Sequence, residues 1–298
     1  MELRHLRYFK VVAELQHFHR AAEKLCITQP ALSNQIKQLE QELGTSLFDR
    51  VGRRVKLSES GDLVLSTAKR ILNEVERLKE AVTDIEGGVS GSLKIGVLQS
   101  INALYLRNLV IEFDKTHPNI SLHVEEMTNQ EIEQKVSNGE IDIGIGFILK
   151  KEYKNIQFEK LFTENWKLLV SPNHADLAQD IMSGKPHHLK AVLLPEHFET
   201  RRIVNTYFAD NHIQYSNITE VNTISFILDL VESGLSFSIL PEAFSRLKSK
   251  HRLALFDLNP ELSPRTIGIL MTSNGIRKRT AENFCALIKD QLANKLNV

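Results

Sequence analysis

The hydrophobic positions near the start of the chain recur at the period of short helices. One stripe falls at Phe18, Ala21, Ala22 and Leu25, and a second at Leu32, Ile36, Leu39 and Leu43. Positions three and four apart share one side of a helix, so the pattern predicts two short amphipathic helices joined by a tight turn. Thr28 is placed to cap the second helix, and Pro30 falls in its first turn, where a missing N–H costs little.

Three polar residues near the start of the second helix point away from its apolar stripe. At roughly 100° per residue, Ser33, Asn34 and Lys37 face outward. A short hydroxyl and an amide beside a cation suit the reading of base edges in a major groove. The pattern therefore predicts a DNA-recognition helix.

A short β-wing is predicted over residues 48–57, with Gly52 at its turn. Arg53, Arg54 and Lys56 would point towards phosphates or a minor groove. Ser58 then follows as the N-cap of the next helix.

A long helix is predicted from residue 59 to about residue 86. Its apolar positions are spaced alternately four and three apart, at Val64, Ala68, Ile71, Val75, Leu78, Val82 and Ile85. So narrow a stripe suits one partner helix better than a globular core, and the helix would be roughly 40 Å long. The Gly- and Ser-rich residues 87–92 that follow predict a hinge.

From Leu93 onward, the pattern alternates between strand and helix. Strands are predicted at residues 93–97, 120–124, 141–145, 167–170, 191–194 and 236–240, and helices at about 104–115, around 132–136, from 201 and at 224–233. This alternation predicts two α/β units with mostly parallel sheets covered on both faces.

Charge is unevenly distributed in a chain of 298 residues with zero net charge. Residues 1–58 carry ten lysines and arginines against six acidic residues. A basic end on an acidic body fits a DNA-binding head with a sensing body. Cys26 and Cys285 form no metal motif, and Cys26 is expected to be small, reduced and buried. With neither an apolar signal core nor a long apolar run, the expected location is the cytoplasm, away from membranes.

These segments closely resemble the LysR-type transcriptional regulators. The matching pieces are residues 20–25, 29–33, 36–40 and 43–50 in the head, and 117–120, 139–145 and 234–241 in the body. The resemblance implies a winged helix-turn-helix head, a linker helix, and a two-lobed α/β effector domain similar to periplasmic binding proteins. The implied domains are residues 1–58 for the head, 59–88 for the linker and hinge, 89–163 plus 265–298 for lobe I, and 164–264 for lobe II.

The resemblance also implies the partners. The chain is expected to dimerise through the linker helix and to assemble further into a tetramer, to bind dyad-symmetric double-stranded promoter DNA, and to contact RNA polymerase. DNA contacts are expected from Gln29, Pro30, Ser33, Asn34, Lys37, Arg50, Arg53 and Arg54. One departure is that His17 and His19 flank Phe18, where the family usually has small hydroxyl residues; His17 is a poorer N-cap.

A ligand is expected beyond the carboxyl ends of the strands, where helices begin. Ser100, Thr128, Thr200 and Thr223 are each placed as N-caps, and several helix N-termini at one cleft favour a small anion. Family ligand sites match Ser100, Thr128, Phe147 and Thr200, and Asn102 is added as a neighbour. Arg201 either neutralises a carboxylate of the effector or is exposed to solvent.

No enzyme motif is apparent. Gly144 and Gly146 follow a strand without a third glycine and are interpreted as packing positions, while His187, His188 and His197 have no metal-ligand spacing. The chain is therefore expected to carry no cofactor and no metal. Its effector is expected to be a small metabolite. Within the family, loops at 126–128, 199–201 and 221–225 are most similar to the cyanate-operon regulator subgroup. The alternative hypothesis is a solute-binding or sequestering protein with a vestigial DNA-binding head.

Overall fold

The computed structural model describes residues 1–51, 54–85, 91–147, 155–244, 252–273 and 278–296. It confirms the predicted fold class: a helical head with a β-wing, a long helix, and two α/β lobes.

The helices are α1 (Leu3–Leu15), α2 (Phe18–Lys24), α3 (Gln29–Leu43), α4 (Glu59–Ile85), α5 (Gln99–Ile101), α6 (Arg107–Thr116), α7 (Asn129–Ser137), α8 (Ala178–Met182), α9 (Glu199–Asp210), α10 (Ile224–Glu232) and α11 (Arg279–Leu296). The strands are β1 (Phe48–Val51), β2 (Arg54–Leu57), β3 (Gly91–Val97), β4 (Ile120–Glu126), β5 (Ile143–Phe147), β6 (Ile156–Glu164), β7 (Trp166–Val170), β8 (Lys190–Leu193), β9 (Ile218–Glu220), β10 (Ser236–Pro241), β11 (Ala254–Asp257) and β12 (Arg265–Thr272). A π-helical segment (Asn102–Leu106) joins α5 to α6, and a 3-10 helix (Pro172–Leu177) precedes α8.

The head forms its own core, in which α1, α2 and α3 pack around Phe9, Leu32 and Leu39. Thr28 caps α3 by accepting a hydrogen bond from the backbone N–H of Ala31, as predicted. His17 also acts as a cap, because its ring nitrogen accepts a bond from the N–H of Arg20 at 3.4 Å. An imidazole therefore satisfies the first turn of α2 in place of a hydroxyl.

Helix α4 begins beside the head and extends away from it. Ser58 caps it, since its hydroxyl accepts from the N–H of Gly61 at 3.0 Å. Ala68 and Leu72 are buried in the head core, whereas Leu78 and Val82 are exposed to 52% and 50%. The exposed half of the apolar stripe is available for the dimer contact, which stays a prediction.

Lobe I contains a five-stranded sheet in the order β4-β3-β5-β12-β6. Strand β3 is parallel to β4 and β5, whereas β12 is antiparallel to β5 and β6. The C-terminal helix α11 returns to this lobe and buries Phe284 and Ile288 in its core.

Lobe II contains the second five-stranded sheet, in the order β11-β7-β10-β8-β9. The chain leaves lobe I after β6 ends at Glu164 and returns at Arg265, where β12 begins. These two crossing segments lie side by side, because Arg265 pairs directly with Glu164 in the β6–β12 ladder. The predicted domain boundaries stay predictions.

Two local predictions were wrong. The helix expected from about residue 104 begins at Gln99, because α5 and the π-helical segment extend it towards β3. Cys26, expected to be buried, is exposed in the turn between α2 and α3, where its backbone takes a φ of 54°. This turn leaves the thiol outside the head core.

Candidate functional site

The outward face of α3 carries the predicted base-reading residues. Gln29, Pro30, Ser33, Asn34 and Lys37 are all exposed. All of these except Pro30 line one concave surface, together with His17 and His19. The apolar side of the same helix is buried in the head core, which fixes the orientation of the outward face. The residue types and their placement match direct readout of base edges.

The wing carries the predicted phosphate-contacting arginines. Arg50 and Arg54 lie on β1 and β2, and Arg53 lies outside the described residues. The wing strands pair antiparallel from Phe48 opposite Leu57 to Val51 opposite Arg54. The predicted phosphate contacts of these arginines stay predictions.

A narrow cleft lies between the two lobes. Ser100, Thr128, Phe147 and Thr200, four of the seven predicted ligand residues, line it. Ser100 and Thr128 come from lobe I and Thr200 from lobe II, each beside the start of a helix. The volume of the cleft that is open to water molecules is about 30 Å³, which gives room for about two waters.

The central charged residue of this cleft was not among the ligand residues predicted from the sequence. Arg265 begins β12, lines the cleft and has a side chain only 6% exposed. Its Nη2 donates to the hydroxyl of Ser100 at 3.0 Å, and its Nη1 reaches the hydroxyl of Thr200 at 3.5 Å. The guanidinium therefore touches both lobes. The one sequence signal for it was a charged residue directly after Pro264, at the predicted crossing between lobes.

Arg265 is held by a carboxylate and by two aromatic rings. Its Nε donates to Glu164 at 2.6 Å, and the Glu164 side chain is 4% exposed. Its guanidinium carbon lies 5.4 Å from the ring centre of Phe147 and 5.7 Å from that of Trp166. Because Arg265 donates to the oxygens of Ser100 and Thr200, the protons of those hydroxyls are free to turn towards a ligand.

The remaining predicted ligand residues lie outside the cleft or are engaged elsewhere. Asn102 donates to Glu126 at 2.9 Å, and Thr223 bonds to Asn222. Arg201 is buried, so the expectation of solvent exposure was wrong. It donates to the carbonyl of Leu194 and to Glu220, and these bonds occupy its guanidinium within lobe II.

Of the four N-caps predicted near the ligand cleft, the structure supports one fully. Thr128 is the predicted N-cap, and it forms a capping box with Glu131. Helices α5 and α9 begin one residue before Ser100 and Thr200, so neither residue is a cap, and both hydroxyls face Arg265 instead. Thr223 occupies the N-cap position of α10 but makes no side-chain cap bond.

The capping box at Thr128 predicts a pH-dependent effect of its removal. The hydrogen bonds that the backbone N–H and hydroxyl of Thr128 donate hold the pKa of the Glu131 carboxyl below 4.5. A carboxyl whose pKa is lowered by folding stabilises the fold at any pH above its unfolded pKa. This stabilisation is lost as the pH falls through the lower, folded pKa. Thr128→Ala should cost about 1 kcal/mol of unfolding free energy at neutral pH, and less below about pH 4.5, in urea unfolding.

A matched control for this prediction is Thr223→Ala. It removes the same hydroxyl from an N-cap position that lacks a cap bond, so it should leave the unfolding free energy almost unchanged. An equal loss from both variants would show that the capping box does not contribute.

The histidines form no metal site in the described part of the chain, where no group of three or more His, Cys, Asp and Glu side chains is arranged to hold an ion. His187 is half-buried and meets Phe237 edge-on, and burial lowers the pKa of its imidazole. His187 therefore packs against the core of lobe II. None of the helices described here combines the length and apolar character that a membrane crossing requires.

Two family models match the chain. The model described as "Bacterial regulatory helix-turn-helix protein, lysR family" matches residues 3–62, and that described as "LysR substrate binding domain" matches residues 86–293. Among similar proteins, the "HTH-type transcriptional regulator BenM" of Acinetobacter baylyi is 32% identical over 279 residues, covering 90% of this chain and 88% of that protein. A "Probable RuBisCO transcriptional regulator" of Thalassiosira pseudonana is 28% identical over 291 residues, covering 95% of each.

Solved structures resemble the whole chain. A full-length OxyR variant from Pseudomonas aeruginosa superposes with a TM-score of 0.68 at 25% identity, covering 98% of this chain and 94% of that one. Full-length BenM superposes with a TM-score of 0.56 at 28% identity, covering 99% and 98%. CbnR "complexed with the target DNA complex" superposes with a TM-score of 0.63 at 20% identity, covering 97% and 99%, and shows the shared fold.

Proposed function

Because the chain belongs to the LysR family of transcription regulators, we propose that its effector is a small anion bound between the two lobes beside Arg265. The family membership makes the chain a DNA-binding transcription regulator with an effector-binding domain. It gives no support to the alternative of a solute-binding protein with a vestigial head. Its relatives are transcription regulators rather than enzymes.

One observation carries the anion proposal: a buried guanidinium that lines the cleft touches a hydroxyl from each lobe. Arg265 contributes the positive charge, a role that was one of two alternatives for Arg201, and Ser100 and Thr200 contribute hydroxyl donors. Glu164 balances the charge when no anion is present. An anion that accepts from both hydroxyls would draw the lobes together, because the two hydroxyls come from different lobes.

The size of the cleft narrows the effector class. Since the space holds only about two waters, a compact anion such as cyanate, bicarbonate or a short carboxylate fits with little lobe movement. Thr128 is a weaker contact, because its hydroxyl already donates to Glu131 at 2.7 Å. We expect Ser100 and Thr200 to dominate the binding.

The rest of the regulatory cycle follows the family resemblance. Dimers formed through α4 present two heads to a dyad-symmetric promoter site in the cytoplasm. Pairs of dimers form a tetramer, and the effector changes the tetramer shape, the DNA bend and the contact with RNA polymerase. This mechanism requires that the effector bind two tetramer shapes with different affinity. The cyanate-operon subgroup stays a prediction.

A thermal-shift screen of the purified full chain tests the effector class. Cyanate, bicarbonate and short carboxylates are compared with chloride at equal ionic strength. A binder at about 100 times its dissociation constant adds about 2.7 kcal/mol to native-state stability, which gives a clear rise in melting temperature. Ser100→Ala should remove that rise without removing the Arg265–Glu164 pair.

Two results would contradict the proposal. A rise that persists in both Ser100→Ala and Thr200→Val would place the anion outside this cleft. A screen without any rise, for a protein that still binds DNA, would exclude compact anions as the effector class.

A further inference from the structure

The long helix α4 touches lobe I along a polar stripe that the sequence analysis did not identify. Lys69 donates to Glu140 at 3.2 Å, and Asn73 donates to the carbonyl of Asn138 at 3.0 Å. Further along the helix, Arg77 and Glu80 reach charged groups of lobe I. The four α4 residues are spaced four, four and three apart, so they form one face of the helix.

This polar stripe lies opposite the apolar stripe. At roughly 100° per residue, the centre of the polar stripe is about 180° from the centre of the apolar positions that end in Leu78 and Val82. Leu78 and Val82 are exposed. Helix α4 is therefore able to contact lobe I with one face and a partner helix with the other at the same time.

Buried charges fasten the far end of the polar stripe. The Nζ of Lys278 lies 2.6 Å from Glu80 and 3.1 Å from Asp142, and it also donates to the carbonyl of Ser92 at 3.1 Å. Arg77 lies 3.7 Å from the other oxygen of Asp142. The side chains of Arg77, Asp142 and Lys278 are each at most 10% exposed. Glu80 is 35% exposed, but removal of one partner from the buried part of this cluster leaves a charge unpaired and is strongly destabilising.

Apart from Lys278, which precedes α11, the lobe I groups that meet α4 lie next to the helix and strand that reach the effector cleft. Helix α7 begins at the cleft beside Thr128 and is followed by Asn138 and Glu140, which contact α4. Asp142 directly precedes β5, which ends at Phe147 in the cleft. The helix and strand connect two sites over roughly 14 Å, the length of nine helical residues.

Close packing joins α7 and β5 into one stiff unit. Asn129 on α7 donates to the carbonyl of Phe147 at 2.6 Å and accepts from its N–H at 2.8 Å. A Cβ at Gly144 would overlap Ile132, and one at Gly146 would lie 2.6 Å from the Asn129 side chain. The two glycines thus let the helix lie directly on the strand, as the packing interpretation predicted. Interiors packed this closely transmit displacement instead of absorbing it.

We propose that the α7–β5 unit is a lever that carries movement of the effector cleft to α4, through the polar stripe and the buried charges around Lys278. Its end at the cleft moves with the lobes, and its other end holds the helix that supports the DNA-binding head. The coupling does not require that the effector be an anion. It would stand if the proposal about the effector class failed.

Hydrogen exchange of the full chain, followed by mass spectrometry without effector, tests the lever. Lys278→Met and Glu80→Gln should each speed the exchange of the last two turns of α4 roughly tenfold, because each removes a charged hydrogen bond that holds the helix to lobe I. Lys289→Met is the matched control. It removes an ion pair with Glu159, which lies on β6 of the same lobe, so it should leave α4 unchanged. Light scattering is used to check that all variants have the same oligomeric state.

Coupling is reciprocal, so residues 129–132 at the cleft end of α7 should also exchange faster in Glu80→Gln, which alters no residue of lobe I. Unchanged exchange of α4 in Glu80→Gln would overturn the docking, even if Lys278→Met loosened lobe I itself. Faster exchange of α4 without any change at residues 129–132 would overturn the lever.

Discussion

Arg265→Met should destabilise the chain by about 3–5 kcal/mol, because it leaves the Glu164 carboxylate buried without its charged partner. Both side chains are nearly inaccessible to solvent, and the bond between them is short. The same change removes the guanidinium that contacts Ser100 and Thr200. Urea unfolding of the full chain measures the stability, and the anion thermal-shift screen measures binding.

A double variant separates the two roles of Arg265. Arg265→Met combined with Glu164→Met replaces a buried ion pair with apolar side chains, an exchange that is often neutral or stabilising. We expect the double variant to recover most of the stability and none of the effector binding. Recovery of both stability and effector binding would show that the guanidinium supports only the structure of the two crossing segments. Failure to recover stability would contradict the ion-pair explanation.

Truncation of the base-reading side chains of α3 should weaken specific DNA binding. Asn34→Ala and Ser33→Ala each remove a group that faces outward at the start of the helix, and each should cost roughly 1–3 kcal/mol at the preferred site. Binding to unrelated DNA should change little, because it depends on phosphate contacts. Titrations of a specific and a scrambled duplex over a range of salt concentrations measure both.

Two controls on the same helix sharpen this test. Gln41→Ala truncates an exposed amide about two turns further along α3 and should leave base preference unchanged. Lys37→Met should weaken both duplexes alike and lower the salt slope by about one if Lys37 contacts a phosphate. Equal loss of specific and scrambled binding from Asn34→Ala would contradict direct readout by that residue.

Local patterns predicted the head and the order of elements well, because they depend on neighbours three or four residues apart. The cap at Thr28, the capping box at Thr128 and the start of α4 at Ser58 each involve a hydroxyl and a backbone N–H within three residues. Such contacts are encoded within a few positions of the sequence. The strand-helix alternation predicted the two lobes for the same reason.

The charged groups of the cleft were not predictable in this way. The partner of Arg265 is Glu164, 101 positions earlier, and their pairing depends on the register of two strands from different parts of the chain. The partner of Arg201 is Glu220, beyond a helix and a turn, so its burial left no local pattern. Ser100 and Thr200 line the predicted cleft but are not the predicted N-caps. Helices α5 and α9 each begin one residue before them, at least two residues earlier than predicted, and both hydroxyls meet Arg265 instead.

The narrowness of the cleft also bears on how quickly a signal is registered. If the effector binds in this cleft as proposed and is larger than two waters, it enters after the lobes separate, and its capture should follow their opening instead of its own diffusion. In stopped-flow mixing, the observed rate should level off as effector concentration rises, and the limiting value should equal the opening rate. Release of the bound effector requires the same separation of the lobes. A promoter governed by this chain should therefore keep its effector-induced activity for some time after the metabolite has been consumed. That time is set by how fast the lobes separate at the two crossing segments, beside Arg265 and Trp166.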